Sequence, residues 1–219
     1  MRCTRHFESR AWREGYRRVA GVDEVGRGAL FGPVVAAAVI LDPGRPIRGL
    51  NDSKQLDPER RQELARLIRE RAAAFAVAAV DAARIDQMNI YQATRLAMRQ
   101  AVEALDPAAD FLLIDAMQLD TALPQRSLIK GDCRSVSIAA ASIVAKVERD
   151  HWMLAWDEAF PCYQLASHKG YATPAHLEAL TLHGPSPLHR RSFAFVAAVS
   201  RFPSDRPFEN LELFDGEPE

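Results

Sequence analysis

Apolar residues along this chain fall into short runs, some continuous and some spaced three or four apart, and the two kinds alternate. Residues 18–23 and 34–41 are continuous runs that predict strands, the second rich in valine and closed by Asp42-Pro43-Gly44. Asp57-Pro58-Glu59 places an N-cap before a proline at the first helical position, so a helix is expected to about residue 74. Residues 75–80 read as another strand, and Asn89 caps a helix that reaches about residue 105, before Asp106-Pro107. Residues 111–115 are a wholly apolar strand closed by a carboxylate. Residues 137–158 predict a long helix, and Thr173-Pro174 opens a further one that His183-Gly184 closes. No solenoid-type repeat recurs. Strands alternating with helices predict an α/β fold with a central mixed sheet flanked by helices.

Composition narrows the class. The chain has 219 residues, 48% of them hydrophobic, enough for one large domain. The basic N-terminus leads into no apolar core segment, and the longest apolar run, residues 30–41, is too short to span a bilayer and is broken by Gly32-Pro33. Cys3, Cys133 and Cys162 are odd in number and far apart, which favours neither a disulfide scaffold nor a zinc site. A cytoplasmic protein without a membrane partner is expected. The net charge of −1 hides an asymmetry: residues 205–219 carry −5 and leave +4 on the body. A mildly basic body suits a polyanionic partner, although solvated arginines explain it as well.

The chemistry concentrates where the first strand ends. Asp23-Glu24 runs into Gly26-Arg27-Gly28, a carboxylate pair beside a turn whose backbone N–H groups and guanidinium can grip an anion. Paired carboxylates near a core are costly unless a cation neutralises them. Asp115 ends a second apolar strand and Asp132 precedes the long helix. If the two strands are neighbours, these carboxylates converge at one sheet edge, and an all-oxygen donor set suits Mg²⁺ or Mn²⁺. Any single Asp at a strand end is otherwise an ordinary cap or turn residue. Successive strand residues point to opposite faces, so Asp23 and Glu24 share a site only if the strand bends or ends there.

The blocks Gly21 to Gly28, Asn51-Asp52-Ser53-Lys54, Leu113-Ile114-Asp115, Lys130-Gly131-Asp132, Ala140 to Asp150, His168-Lys169-Gly170-Tyr171 and His189 to Phe193 closely resemble ribonuclease HII, in that family's order. The resemblance covers residues 17–195. It implies an RNase H-like fold with a helical C-terminal extension, and a division into an N-terminal extension (1–16), a type-2 catalytic domain (17–202) and a flexible acidic tail (203–219). It also implies cleavage of RNA in RNA–DNA hybrids and at ribonucleotides embedded in duplex DNA, with two Mn²⁺ or Mg²⁺ ions, by a monomer. By position, Asp23, Glu24, Asp115 and Asp132 match the catalytic, metal-binding carboxylates, and Gly26, Arg27, Gly28 and Tyr171 match the elements that read the RNA–DNA junction. Nothing before residue 17 matches the extra substrate-binding domain of ribonuclease HIII, so type II is expected.

Other motif residues have weaker claims. Ser142, Lys146 and Asp150 share a helix face, read either as a polar stripe toward substrate phosphates or, for the last two, as a surface pair. Lys54, His168 and Lys169 are candidate phosphate contacts, and His189-Arg190-Arg191 is a phosphate-contacting patch or a basic turn. Asn51-Asp52-Ser53 shapes a turn. The chain departs from the resemblance at Ala29, Phe31 and Ala116-Met117. A junction resolvase-like nuclease on the same scaffold, or a non-catalytic nucleic-acid binder, are the competing readings; the second has no use for convergent carboxylates. In the tail, Asn210-Leu211-Glu212-Leu213-Phe214 resembles the motif by which bacterial replication proteins dock into the sliding clamp, against the alternative of an apolar cluster folding back on the body.

Overall fold

The strand β1 (Val19–Val25) lies at the centre of a five-stranded sheet with β2 (Val34–Ile40), β3 (Ala74–Val80), β4 (Phe111–Asp115) and β5 (Gln125–Leu128), in the order β3-β2-β1-β4-β5. β1, β2 and β3 pair antiparallel, while β1–β4 and β4–β5 are parallel. This is the expected mixed sheet, seen in a computed structural model that describes residues 3–200. The α-helices among the described residues are α1 (His6–Arg13), α2 (Pro58–Arg71), α3 (Ala82–Met88), α4 (Ile90–Glu103), α5 (Val136–Ala159), α6 (Leu165–His168), α7 (Pro174–His183) and α8 (Ala194–Ser200).

Every residue of β2 is buried, because helices cover both faces of the sheet. On one face, Ala20, Val22, Ala36, Ala38, Leu112 and Ile114 meet Ala97, Met98 and Ala101 of α4. On the other, Ala37 and Val39 meet α2 and the Ala140–Val144 stretch of α5. Gly21 lets α5 start directly on β1: a Cβ there would lie 2.0 Å from the Ser137 carbonyl carbon. A third cluster, built from Phe31, Met153, Tyr163, Leu165, Leu180 and Val196, anchors the C-terminal helices beside the end of β1.

The caps read from sequence form as expected. Asp57 accepts from the Arg60 amide at 2.7 Å, Asn89 from the Gln92 amide at 3.1 Å and Thr173 from the His176 amide at 3.3 Å. The long helix starts one residue earlier than expected, capped by Ser135. Three elements carry no adequate sequence pattern. β5 is a polar edge strand, α3 has seven residues, and α1 has no side-chain cap. α1 is tied to the body instead by Glu8, a buried carboxylate that accepts from the Ser135 hydroxyl and, at 3.0 Å, from the Ser137 amide. The acidic tail and its Asn210 to Phe214 motif lie outside the described residues.

Candidate active site

Parallel pairing sets Val22 against Ile114, which brings Asp23 and Asp115, the next residue of each strand, to adjacent strand ends. Asp115 is held by the Gly131 amide, 2.6 Å from its Oδ1, and this fixes the turn that presents Asp132. Asp23 is 4% exposed beneath α5. Glu24 sits where β1 gives way to the glycine turn; its Oε1 accepts from Arg27 Nη1 at 3.3 Å, and its Oε2 is buried with no partner. The pairing of β1 with β4 stops at Val22, but β1 stays paired with β2 to Val25, so the strand does not end at the carboxylate pair.

Electrostatics ties the group together. Burial first, then the charges of Glu24 and Asp115, push the Asp23 carboxyl well above the usual range, with the Ser142 hydroxyl opposing. Burial also raises Glu24, with Arg27 opposing and Asp115 adding to the rise. Asp115 is raised by burial and by Asp132 against the Gly131 amide, Lys54 and Arg27. Partial burial works against the Lys54 ammonium, yet Asp132, Asp52, Asp23 and Asp115 outweigh it and raise its pKa, so Lys54 stands in the field of four carboxylates. Its Nζ lies 4.0 Å from Asp132 Oδ2. The raised carboxyls of Asp23, Glu24 and Asp115, with the orphaned Glu24 Oε2, suit a hard divalent cation by their chemistry, although among the described residues no three of Asp23, Glu24, Asp115 and Asp132 bring ligand atoms within 4.8 Å of one another.

Asp52, Asp132 and Cys133 bring ligand-type atoms within 4.8 Å of one another. Burial, then Asp132 and Asp52, raise the Cys133 thiol, which donates to Asp52 Oδ2 at 3.7 Å. A protonated thiol is a poor ligand, so Asp52 acts here as a turn former. It caps the 53–55 turn by accepting from the Lys54 amide at 2.9 Å, as the turn reading expects.

The glycine turn is clamped from two sides. Leu30 donates its amide to Gly170 O at 2.8 Å and accepts from the Arg190 amide at 2.9 Å, and Ala29 bridges to Tyr171. Gly26 needs its glycine, with φ +87° and Arg149 Nε 2.3 Å from where a Cβ would stand. At Gly28 a Cβ would meet nothing within 4 Å, so the fold places no demand on that position. Arg27 and Gly28 are exposed and Tyr171 is half-buried, all at one end of the sheet.

Several expected substrate contacts are engaged inside the fold instead. Ser142 is buried and shares a 2.9 Å hydrogen bond with Ser53, so the stripe toward phosphates does not include it. Lys146 pairs with Asp150 at 2.5 Å, the surface-pair alternative, and Arg61 reaches the same carboxylate at 3.4 Å. His168 donates from Nε2 to Tyr163 O at 2.7 Å and accepts the Gly170 amide at Nδ1, which leaves neither nitrogen for a phosphate. Lys169 Nζ donates to Ala166 O. His189 and Arg190 are buried, which corrects the phosphate-patch reading, and Asp86 binds the Arg191 amide at 2.8 Å. Sequence reasoning gave Arg149 no role of its own and read Arg190 as part of a basic patch or turn; both are 0% exposed. A signal existed for the first: Ala141, Ala145, Arg149 and Met153 repeat every four residues, and all are buried.

This geometry has relatives. The model of the family described as ribonuclease HII matches residues 20–196. Ribonuclease HII of Solibacter usitatus is 63% identical over 98% of this chain and 94% of its own length, and that of Koribacter versatilis is 57% identical over 91% and 79%. Among solved structures, ribonuclease H2 from Pyrococcus horikoshii superposes with a TM-score of 0.72 at 24% identity, covering 84% of this chain and 98% of that one. RNase HII of Archaeoglobus fulgidus, solved in a complex with PCNA, gives 0.69 at 27%, covering 80% and 94%. Bst-RNase HIII with Mn²⁺ gives 0.62 at 23%, covering 83% and 68%, and shares the fold. With the family match spanning the sheet, the carboxylate edge and the Tyr171 loop, this chain belongs to the ribonuclease HII family.

Proposed function

We propose that this chain is a divalent-metal-dependent endonuclease that hydrolyses the RNA strand of RNA–DNA hybrids and incises at ribonucleotides embedded in duplex DNA, leaving 5′-phosphate and 3′-hydroxyl ends. The observation that carries the reading is the carboxylate edge at neighbouring ends of β1 and β4, where Glu24 Oε2 is buried without a partner. Asp23, Glu24, Asp115 and Asp132 would hold two Mn²⁺ or Mg²⁺ ions. Such ions supply an activated water and charge neutralisation for an in-line displacement at phosphorus.

The chain's own groups do the rest. Arg27 beside Glu24 and the exposed ammonium of Lys54 attract the scissile phosphate to the edge. The open space at Gly28 admits a sugar to the backbone, where a 2′-hydroxyl, both donor and acceptor, is distinguishable from hydrogen. Tyr171 offers a flat face to the neighbouring deoxyribose. Ribonucleotide removal during repair and replication, in the cytoplasm and as a monomer, is the role that follows. The PCNA complex of the Archaeoglobus fulgidus relative supports a protein partner, and Asn210 to Phe214 is the segment proposed for it; clamp pull-down is expected to be lost on deleting Leu213-Phe214. The deciding assay offers a duplex with one ribonucleotide and Mn²⁺ to wild type and Asp115→Asn. Incision by wild type alone is expected, and cutting of all-DNA junctions without incision at the ribonucleotide would overturn the reading.

A further inference from the structure

Two fully buried guanidiniums stand behind the glycine turn, and among the described residues neither forms an ion pair. Arg149, from α5, donates Nε to Pro33 O at 3.2 Å, Nη2 to Phe31 O at 3.0 Å and Nη1 to Lys169 O at 2.9 Å. Its side chain fills the place a Cβ would take at Gly26, and its guanidinium lies 5.5 Å from the centre of the Tyr171 ring. Arg190 donates Nε to Gly32 O and Nη1 to Arg27 O, both at 2.9 Å, and keeps Nη2 buried without a partner.

The arrangement is expensive. Burying a cation without an ion-pair partner is costly even after relaxation, and apolar replacements of buried ion groups are often neutral or stabilising. Burial, followed by the charge of Arg149, pushes Arg190 down to about 9, with Tyr171 and Asp86 opposing; burial lowers Arg149 as well, with Tyr171 and Asp150 opposing. What a guanidinium offers in return is a rigid planar fork with five donors, which can satisfy carbonyls on separate chain segments at once. The segments here are the turn leading from Gly26 and the loop leading to Tyr171, which meet through the Leu30–Gly170 hydrogen bond and the isolated Ala29–Tyr171 bridge rather than through paired strands.

Building on the nuclease reading above, we propose that Arg149 is a positioning residue for ribonucleotide discrimination: its fork fixes the gap between the glycine turn and Tyr171, with Arg190 bracing the far side of the turn. Arg149 touches neither metal nor scissile bond. Its effect belongs to substrates that demand one register. A lone ribonucleotide offers a single productive placement, whereas an all-RNA strand offers many. A displacement of about 1 Å at a positioning group can cost on the order of a hundredfold in rate.

The test compares Arg149→Met, Arg149→Gln and Arg149→Lys with wild type on a single-ribonucleotide duplex and an all-RNA hybrid. It also records Tm with and without Mn²⁺. Wild type must first incise the single-ribonucleotide duplex; failure there removes the nuclease reading and leaves the positioning role without an object. Given that incision, the ratio of kcat/KM on the single ribonucleotide to that on the hybrid is expected to fall about ten- to a hundredfold in Met and Gln variants, in kcat more than in KM. Arg149→Lys keeps the charge without the fork and is expected not to restore the ratio, while Mn²⁺ raises the Tm of each variant as it does that of wild type. A wild-type ratio in any folded variant, equal losses on both substrates, or failure of all three variants to fold would each overturn the proposal.

Discussion

Two glycines two residues apart answer to different demands. Gly26 is fixed by the fold, with φ +87° and Arg149 in its Cβ position, so Gly26→Ala is expected to destabilise the protein by roughly 1–3 kcal/mol, read from urea unfolding. Gly28 has an ordinary φ and open space, so Gly28→Ala is expected to change stability by no more than about 0.5 kcal/mol. If a sugar approaches that backbone, the same methyl group lowers incision at an embedded ribonucleotide. A Gly28→Ala protein that cuts as well as wild type would place the reading of the 2′-hydroxyl elsewhere. At Tyr171 the expectation concerns preference: Tyr171→Phe or Ala weakens discrimination for the junction more than it weakens Mn²⁺ binding. Equal losses on embedded-ribonucleotide and all-RNA substrates would count against it.

Between elements, the loop that carries Tyr171 rests on three histidines whose protons are all assigned by their partners. His176 donates from Nδ1 to Tyr171 O at 2.9 Å, so its Nε2 accepts from His189 Nε2 at 3.1 Å, and His189 Nδ1 accepts from the Ser186 amide at 3.0 Å. His168 stacks on His176 with ring centres 4.4 Å apart. Every ring is neutral in this chain of bonds, and a proton added at His176 Nε2 would face the N–H of His189. Burial, with the charge of His168 adding, takes His176 down to about 4; burial, then His176, Arg191 and His168, take His189 down to about 3. The unfolded chain therefore binds protons from about pH 6.5 downward while the folded one does not, and stability falls as the pH drops through that window. The ring Cε1 resonances of His176 and His189 are expected to stay at their neutral positions down to about pH 5; titration near pH 6.5 would refute the network. The junction of α1 with α5 offers a second test. Glu8 caps the start of α5 through Ser135 and the Ser137 amide, so Glu8→Ala is expected to cost about 1–2 kcal/mol in urea unfolding, more than an exposed substitution.

Across the whole molecule, four of the five strands and the carboxylates at the ends of two of them were legible because each rests on short-range pattern, whereas β5 and the pairing that brings those carboxylates together were not. Apolar runs end in Asp23 and Asp115, and Pro58, Asn89 and Thr173 mark helix starts. The interior polar groups were not legible. Arg149, Arg190, His176 and His189 are charged or polar by composition and read as surface, yet partners distant in sequence, such as Phe31 with Arg149 and Gly32 with Arg190, bury them. The same separation in sequence hides how much the carboxylate edge costs. Asp23, Glu24 and Asp115 are raised in pKa by burial and, through Asp115 and its neighbours, by one another, so at neutral pH their charges work against the folded state. A divalent cation relieves both burdens at once, and it binds the folded chain alone, because unfolding separates residues 23 and 115. At free Mn²⁺ of about 100 times Kd the folded state gains about 2.7 kcal/mol, or roughly 5–10 °C in Tm for a chain of this size. Chelation returns the loss. Asp23→Asn keeps an acceptor for the Glu24 amide, removes one charge and one ligand, and so is expected to melt higher than wild type in chelator and to gain less from Mn²⁺. A wild-type Tm that ignores Mn²⁺, or an Asp23→Asn protein that melts lower than wild type in chelator, would mean that the edge is held by something other than a cation.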